Sequence, residues 1–230
     1  MGTSSVSFWS LLTRFGETQI LMPLVALAAL WLWLGAGLGA QARRWLLAVG
    51  FALALATASK LAFIGWELGL ADWDFTGVSG HAACSAVVLP MLAWVLVCGR
   101  SPTARRCGVL GGFALAALVA WSRLAVNVHS SAEVVSGFVL GSVSSWIALS
   151  GLGLVEDVRN SNTTASPRWL QAALLASLVL LPFGAPRSQS HDWVTAMSMR
   201  LSGRSQPFER HDLHRHHQPA AASQSSRVSW

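Results

Sequence analysis

The sequence predicts an all-α fold, a polytopic transmembrane helix bundle with about six spans. Only 11% of the 230 residues are charged, whereas about a quarter are charged in a typical soluble domain. The apolar residues fall in blocks of roughly twenty, the length that crosses a bilayer as a helix. Blocks of this length are helices rather than strands, because backbone groups in lipid must form their hydrogen bonds internally. We therefore expect an integral membrane protein with one bundle.

The apolar blocks give the order of the elements. They are Gln19–Ala40, Trp45–Trp66, Gly80–Cys98, Cys107–Asn127, Ala132–Leu154 and Trp169–Gly184. The sixth is short for a span, and Pro182 interrupts its end. The first apolar core is longer than that of a cleaved signal peptide, so we interpret it as a span. We predict an N-terminal interfacial segment over 1–18, a bundle over 19–184 and a polar, basic, His-rich tail over 185–230 that is loosely ordered.

The charge pattern predicts how the bundle is oriented. The chain has a net charge of +6, but the basic residues do not alternate with aromatic ones as in a nucleic-acid groove, so we expect no nucleic-acid partner. Alternate connections hold plain arginines: Arg43, Arg44, Arg100, Arg105, Arg106, Arg159 and Arg168. The positive-inside rule places these connections in the cytoplasm. The remaining connections then face outward, which for a bacterial inner-membrane protein is the periplasm.

The outward connections contain the residues that could carry chemistry. Lys60 lies near the end of the second block, and an intramembrane lysine is a candidate functional residue. The alternative is a lysine whose ammonium simply reaches the headgroups. The sequence Ser79-Gly80-His81 opens the third block, where the free N–H groups of a helix start bind anions. The alternative is that Ser79 only caps the helix.

The segment from Trp121 to Val135 joins the fourth and fifth blocks. Arg123 lies at the membrane boundary, where its planar guanidinium matches phosphate oxygens. His129 and Glu133 are four residues apart and share a face if the helix begins near His129, so the carboxylate could orient the imidazole as a nucleophile or base. The alternative is that Glu133 closes a capping box with Ser130.

Taken together, the lysine, Ser-Gly-His and Ser-Arg-x5-His-x3-acid resemble the type 2 phosphatidic acid phosphatase superfamily. The resemblance covers Lys60 to Glu133 and implies a phosphatidic acid phosphatase type 2-like core, with no metal and no cofactor. It implies that His129 takes the phosphoryl group as a phosphohistidine, that Glu133 orients His129 and that His81 protonates the leaving alkoxide. It implies a phosphate cradle formed by Lys60, Ser79, Gly80 and Arg123.

The chain departs from the family pattern at three points. Val78 stands where the family has proline, and Glu133 stands where it has aspartate. Glu67-Leu68 stands where the family has arginine-proline, which removes one cationic phosphate ligand. We expect Glu67 to weaken phosphate binding unless its side chain points away.

The leading hypothesis is a membrane enzyme that hydrolyses a lipid phosphate or diphosphate. Phosphatidate, a phosphatidylglycerol phosphate, an isoprenoid diphosphate and a lipid A phosphate fit the pattern equally, and the sequence gives no oligomeric state. The second hypothesis is a non-catalytic relative that binds a lipid headgroup or a partner. A transporter is disfavoured because the polar residues cluster at helix ends on one side, not at the midplane. The His-rich sequence HDLHRHH in the tail is either a metal-binding tract or simply solvated.

Overall fold

The computed structural model describes residues 3–150, 152, 165–186 and 188–217. The predicted end of the fifth block at Leu154, Arg159 and the tail beyond residue 217 lie outside these residues. Within them the chain is helical and contains no strand beyond a single bridge between Leu70 and Phe75. The all-α prediction is confirmed.

Nine α-helices follow one another along the described residues. They are α1 (Thr3–Arg14), α2 (Thr18–Leu34), α3 (Gly39–Trp66), α4 (Gly80–Val97), α5 (Pro102–Ala125), α6 (Ser131–Leu149), α7 (Arg168–Gly184), α8 (Ser190–Ser202) and α9 (Arg210–His217). A short 3₁₀ turn, Ala71–Trp73, lies between α3 and α4.

Five helical stretches in the described part of the chain are long and apolar enough to cross a membrane. They are Phe8–Leu34, Gly39–Trp66, Gly80–Val97, Pro102–Ala125 and Ser131–Leu149. The sixth predicted span is a shorter apolar helix, α7, and its crossing of the bilayer stays a prediction. The helix content and these stretches agree with an integral membrane bundle.

Two helices, α3 and α5, begin several residues before their apolar blocks. Helix α3 begins at Gly39 rather than Trp45, because arginine is a good helix former and Arg43 and Arg44 continue the helix. Helix α5 begins at Pro102 rather than Cys107, with proline in its first turn. The Ser101 hydroxyl caps α5 by accepting the Ala104 N–H at 3.3 Å.

Helix α4 lies at the centre of the bundle. Within its apolar stretch 72% is buried inside the protein, against 28% for α3. Its neighbours α5 and α6 approach it closely at glycines. A methyl group at Gly112 of α5 would lie 2.7 Å from the Leu89 carbonyl oxygen, and one at Gly141 of α6 would lie 2.3 Å from that of Ala83. These small residues let the helix backbones meet, as is common in membranes.

The outward-predicted residues meet at one end of this bundle. The end of α3, the start of α4, the end of α5 and the start of α6 all lie there. The backbone N–H of Ser79 donates to the Glu133 carbonyl at 3.0 Å and joins two of these ends. The end of α7 lies there too, since Arg14, beside the turn between α1 and α2, donates to the carbonyls of Ala185 and Pro186.

The described part of the tail, residues 185–186 and 188–217, differs from the loosely ordered segment that its composition predicts. Helix α8 packs against α3, and the Ser198 hydroxyl donates to the Leu61 carbonyl at 2.9 Å. The Phe208 ring packs edge-on against Phe63 with centroids 5.3 Å apart. The backbone N–H of Phe208 donates to the Ile64 carbonyl. A few apolar residues within a polar segment are enough to dock it on the end of α3.

Candidate active site

The His129 ring and the Glu133 carboxylate form a close pair at the start of α6. His129 Nδ1 lies 2.6 Å from Glu133 Oε2, and the exposed fractions of the two side chains are 10% and 0%. The capping box is also present, because Glu133 N–H donates to Ser130 Oγ and Ser130 N–H donates to Glu133 Oε2. The two alternatives therefore hold together, with one carboxylate capping the helix and binding the imidazole.

Both oxygens of Glu133 have further partners. Oε1 accepts the N–H of Thr76 at 2.7 Å and its hydroxyl at 2.5 Å. Nη2 of Arg210, from α9, lies 2.9 Å from Oε1 and 2.8 Å from Oε2. The glutamate is thus fixed from α6, from the loop before α4 and from the tail.

Burial lowers the pKa of His129 below its ordinary value of 6.5, and the nearby charges of Lys60 and Arg123 act in the same direction. The hydrogen bond to Glu133 opposes them. The neutral imidazole is therefore the resting form at neutral pH. With Nδ1 donating to Glu133, the lone pair of this neutral ring is on Nε2, so Nε2 is the ring atom that can act as a nucleophile or a base.

Two predicted cations line the same cavity. The Lys60 ammonium forms no hydrogen bond with the described residues, which favours the ligand-binding interpretation over simple contact with headgroups. Arg123 donates through Nη1 to Thr13 Oγ1 at 2.8 Å, so the end of α1 positions it. Nε of Arg123 is buried and has no partner among the described residues.

The three residues at the start of α4 differ in where they lie. Gly80 and His81 line the cavity, and a methyl group at Gly80 would meet nothing within 4 Å. Ser79 occupies the cap position but its hydroxyl caps nothing, is fully buried and lacks a partner among the described residues. It is not among the residues that line the cavity.

The cavity has a volume of about 1730 Å³. It extends from the end of the bundle that contains the cationic side chains into a region lined by apolar side chains. Lys60, His81, Arg123 and His129 line its polar part. Along α3 it continues past Ala56 to Leu53, about 10 Å below Lys60 at 1.5 Å per residue. Helices α1 and α8 form other walls, with Leu11 and Met199 among their lining residues.

Two departures from the family pattern have local explanations. The Val78 N–H donates to Ser59 Oγ at 2.9 Å, a bond that proline could not make. Glu67 ends α3 with φ 62° and its carboxylate pairs with Arg204 Nη1 at 2.5 Å. The Glu67 side chain is 41% exposed and is not part of the cavity lining, so it points away from the site.

Two histidines of the tail, His211 and His214, pair with acidic groups. His211 lies near Glu209 and Asp212, and His214 Nε2 lies 2.8 Å from Asp74 Oδ1. Among the described residues no three His, Cys, Asp or Glu side chains form a group placed to hold a metal ion. The side chains of His216 and His217 lie outside this description.

Sequence reasoning missed Arg210, Thr76 and Thr13. Each acts on a predicted residue from a distant part of the chain: Arg210 and Thr76 on Glu133, and Thr13 on Arg123. Arg210 lies 77 residues after Glu133 and belongs to no motif. No local signal in the sequence marks these three.

Comparisons with known proteins give the family of the chain. The family model of the PAP2 superfamily matches residues 55–154, the segment that contains every predicted site residue. A relative from Klebsiella pneumoniae, "Uncharacterized 22.5 kDa protein in cps region", is 32% identical over 209 residues, which cover 90% of this chain and 98% of the relative. No solved structure matches the chain at a significant level. From the family match and the motifs it contains, the chain belongs to the PAP2 superfamily, the type 2 phosphatidic acid phosphatases and their relatives.

Proposed function

We propose that the protein is a membrane phosphatase that hydrolyses a lipid phosphate or diphosphate through a phosphohistidine on His129. Membership of the PAP2 superfamily implies phosphatase-type activity. The observation that carries the proposed histidine mechanism is the His129–Glu133 pair, at 2.6 Å. The pair lies beside a cavity that is also lined by Lys60, His81 and Arg123.

The residues support a two-step transfer. Nε2 of His129 attacks phosphorus while the P–O bond to the leaving alkoxide breaks, and His81 gives that oxygen its proton. Glu133 accepts the Nδ1 hydrogen bond and stabilises the positive charge that develops on the ring. Water then attacks phosphorus, His81 takes its proton, the N–P bond breaks and inorganic phosphate leaves.

The cationic groups support phosphate binding. Negative charge develops on the phosphoryl oxygens, and fixed donors stabilise it. Lys60 and Arg123 line the cavity, and Gly80 leaves open space beside the start of α4. The buried Ser79 hydroxyl is the weakest member of the predicted cradle, because it lies off the cavity wall. With these charges in place, the proposed reaction needs no metal.

The depth of the cavity supports a lipid rather than a soluble substrate. A phosphate beside Lys60 and Arg123 has apolar space below it along α3 as far as Leu53. An acyl or isoprenoid chain fits such a space, because burying its methylene groups is favourable. A water-soluble phosphate ester would leave this space unused.

The test is phosphate release by the detergent-purified protein in EDTA. The panel contains phosphatidate, phosphatidylglycerol phosphate, an isoprenoid diphosphate, a lipid A phosphate and, as the soluble comparison, glycerol phosphate. We expect release from at least one lipid, loss of release in His129→Ala, and little or no release from glycerol phosphate. His211→Ala is the matched control, because His211 lies outside the cavity lining.

A second measurement addresses the intermediate. Labelled phosphate from the reactive lipid should remain on the protein after an alkaline quench and be lost in acid, and His129→Ala should carry none. Folded protein that releases phosphate from no lipid would favour the non-catalytic relative. Release that His129→Ala leaves unchanged would overturn the histidine mechanism.

A further inference from the structure

The tail sends one arginine into the candidate site. Nη2 of Arg210 contacts both oxygens of Glu133, at 2.9 and 2.8 Å, while Nη1 donates to the side chain and carbonyl of Asp74. Arg210 also lines the cavity and is 34% exposed, whereas Glu133 is fully buried. One guanidinium thus joins the buried carboxylate to the loop before α4.

Arg210 is held in this place by the docking of the tail. Phe208 lies two residues before it in a buried cluster with Phe63, Ile64 and Leu213. His214, one helical turn after it, contacts Asp74 on the same loop. Arg210 therefore approaches Glu133 from an anchored segment.

The chemistry of the site needs such a partner for Glu133. A carboxylate buried without a counter-charge is strongly unfavourable, and the resting His129 is neutral because burial lowers its pKa. Among the described residues, Glu133 contacts two basic side chains, the His129 ring and Arg210. Because the ring is neutral at rest, Arg210 is the one that supplies a positive charge. Its fork shape suits a carboxylate in a way that lysine does not.

We propose that Arg210 is a positioning residue of this enzyme, which acts on His129 by fixing and neutralising Glu133. The inference rests on the proposed phosphatase function and adds to it a residue outside the segment that matches the family. Glutamate has one more rotatable bond than the aspartate of the family pattern, and the clamp from Arg210 removes that freedom. Arg210 is not a phosphate ligand here, because both of its terminal nitrogens are engaged by carboxylates.

The first test separates positioning from substrate binding. On the reactive lipid, Arg210→Ala should lower kcat by about 10²-fold, the order of loss expected when a reacting group is misplaced by about 1 Å, with KM little changed. Arg210→Lys should recover only part of kcat, because an ammonium cannot hold Glu133 and Asp74 in the same geometry. Arg200→Ala is the matched control, since Arg200 belongs to the same tail but is exposed at the end of α8 and does not line the cavity, and we expect wild-type kinetics.

The pH profile gives a readout that a merely structural role would not change. The charged or titratable groups nearest His129 are Lys60, His81, Arg123, Glu133 and Arg210. The same cavity is also lined by Arg14, Glu17, His191, Asp192 and Glu209, which all these variants leave in place. Loss of the Arg210 charge makes protonation of the His129–Glu133 unit easier, so the acid limb of kcat/KM should move to higher pH. In Arg210→Lys it should stay near the wild-type position. A raised KM with unchanged kcat, or an unmoved acid limb, would overturn the proposal.

A third measurement does not depend on activity. In thermal unfolding in detergent, the loss of Tm in the double variant Arg210→Ala/Glu133→Gln should be smaller than the sum of the two single losses, because the two residues contact each other. Strictly additive losses would overturn the proposal even in an active enzyme. If no lipid is hydrolysed but the losses are coupled, the proposed function fails while the Arg210–Glu133 contact stands.

Discussion

At the scale of single residues, Glu133 does two things that the sequence presents as alternatives. Its carboxylate completes the capping box of α6 and also accepts from the His129 ring. The same side chain thus determines where the helix starts and which nitrogen of the imidazole bears hydrogen. Variants that remove one function without the other can separate them.

We predict that Glu133→Gln lowers kcat on the reactive lipid by roughly 10⁴-fold, the loss seen when an orienting carboxylate beside a catalytic histidine is replaced by an amide. Ser130→Ala removes the cap alone and should lower stability by about 1 kcal/mol with kcat almost unchanged. Steady-state kinetics and thermal unfolding in detergent measure the two effects. Equal loss of kcat in both variants would mean that Glu133 acts only as a cap.

The environment of His129 predicts a pH dependence. Burial disfavours the charged imidazolium and lowers the pKa of His129, so the ring stays neutral until the pH falls through this lowered value. The acid limb of kcat/KM, which reports the free enzyme, should therefore lie below pH 6.5, the ordinary value. A rate profile from pH 4 to 8 (roughly the titration range of histidine) tests this. An acid limb above pH 6.5 would contradict it.

At the scale of elements, the site depends on how closely α6 meets α4. Gly137 and Gly141 face the carbonyls of Ser79 and Ala83. This contact keeps the start of α6, with Glu133, beside the start of α4, with His81. Close packing of two helix backbones is therefore part of the site's geometry.

We predict that Gly141→Ala separates these helices. Its methyl group would lie 2.3 Å from the Ala83 carbonyl oxygen, so the backbone must move, at a cost of about 1–3 kcal/mol. Gly111→Ala is the matched control, because nothing lies within 4 Å of that position and alanine favours helix. We expect Gly141→Ala to lower both Tm and kcat and Gly111→Ala to lower neither. The same Tm for both variants would show that the contact is looser than described.

At the scale of the whole molecule, the two ends of the described chain enclose a site formed by its middle. Near the N-terminal end, Thr13 at the end of α1 accepts a hydrogen bond from Arg123. From the tail, Arg210 donates a hydrogen bond to Glu133. The cavity has walls from both of these regions as well as from α3. The docking of the tail is therefore expected to influence activity from a distance.

We predict that Phe208→Ala releases the tail. Phe208 is 6% exposed, and removal of a buried phenylalanine ring costs about 3–5 kcal/mol, so the segment around Arg210 should detach from α3. Trypsin should then cut the tail faster, and kcat should fall toward that of Arg210→Ala. Phe208→Leu keeps most of the apolar contact and should stay close to wild type. Fast cleavage with undiminished kcat would show that the docked tail is not needed for activity.

The bundle was largely predictable from sequence because lipid requires long apolar helices, and Lys60, His81, Arg123 and His129 do share one cavity. Helix starts were less predictable, since Arg43 and Arg44 are as compatible with a helix as with a loop. The tail was not predictable. Its composition indicates a solvated segment, and the contacts that dock it join distant residues, as Phe208 does with Phe63, 145 positions earlier by residue number.

The contact between Arg210 and Glu133 also determines when the enzyme can become complete during its synthesis. A chain is made from its N-terminus, so the helices that contain His81, His129 and Glu133 exist before Arg210 does. A nascent or truncated product that ends before residue 210 has His129 and Glu133 but lacks the arginine that pairs with Glu133. The ribosome must therefore have added Arg210 before Glu133 has its charged partner.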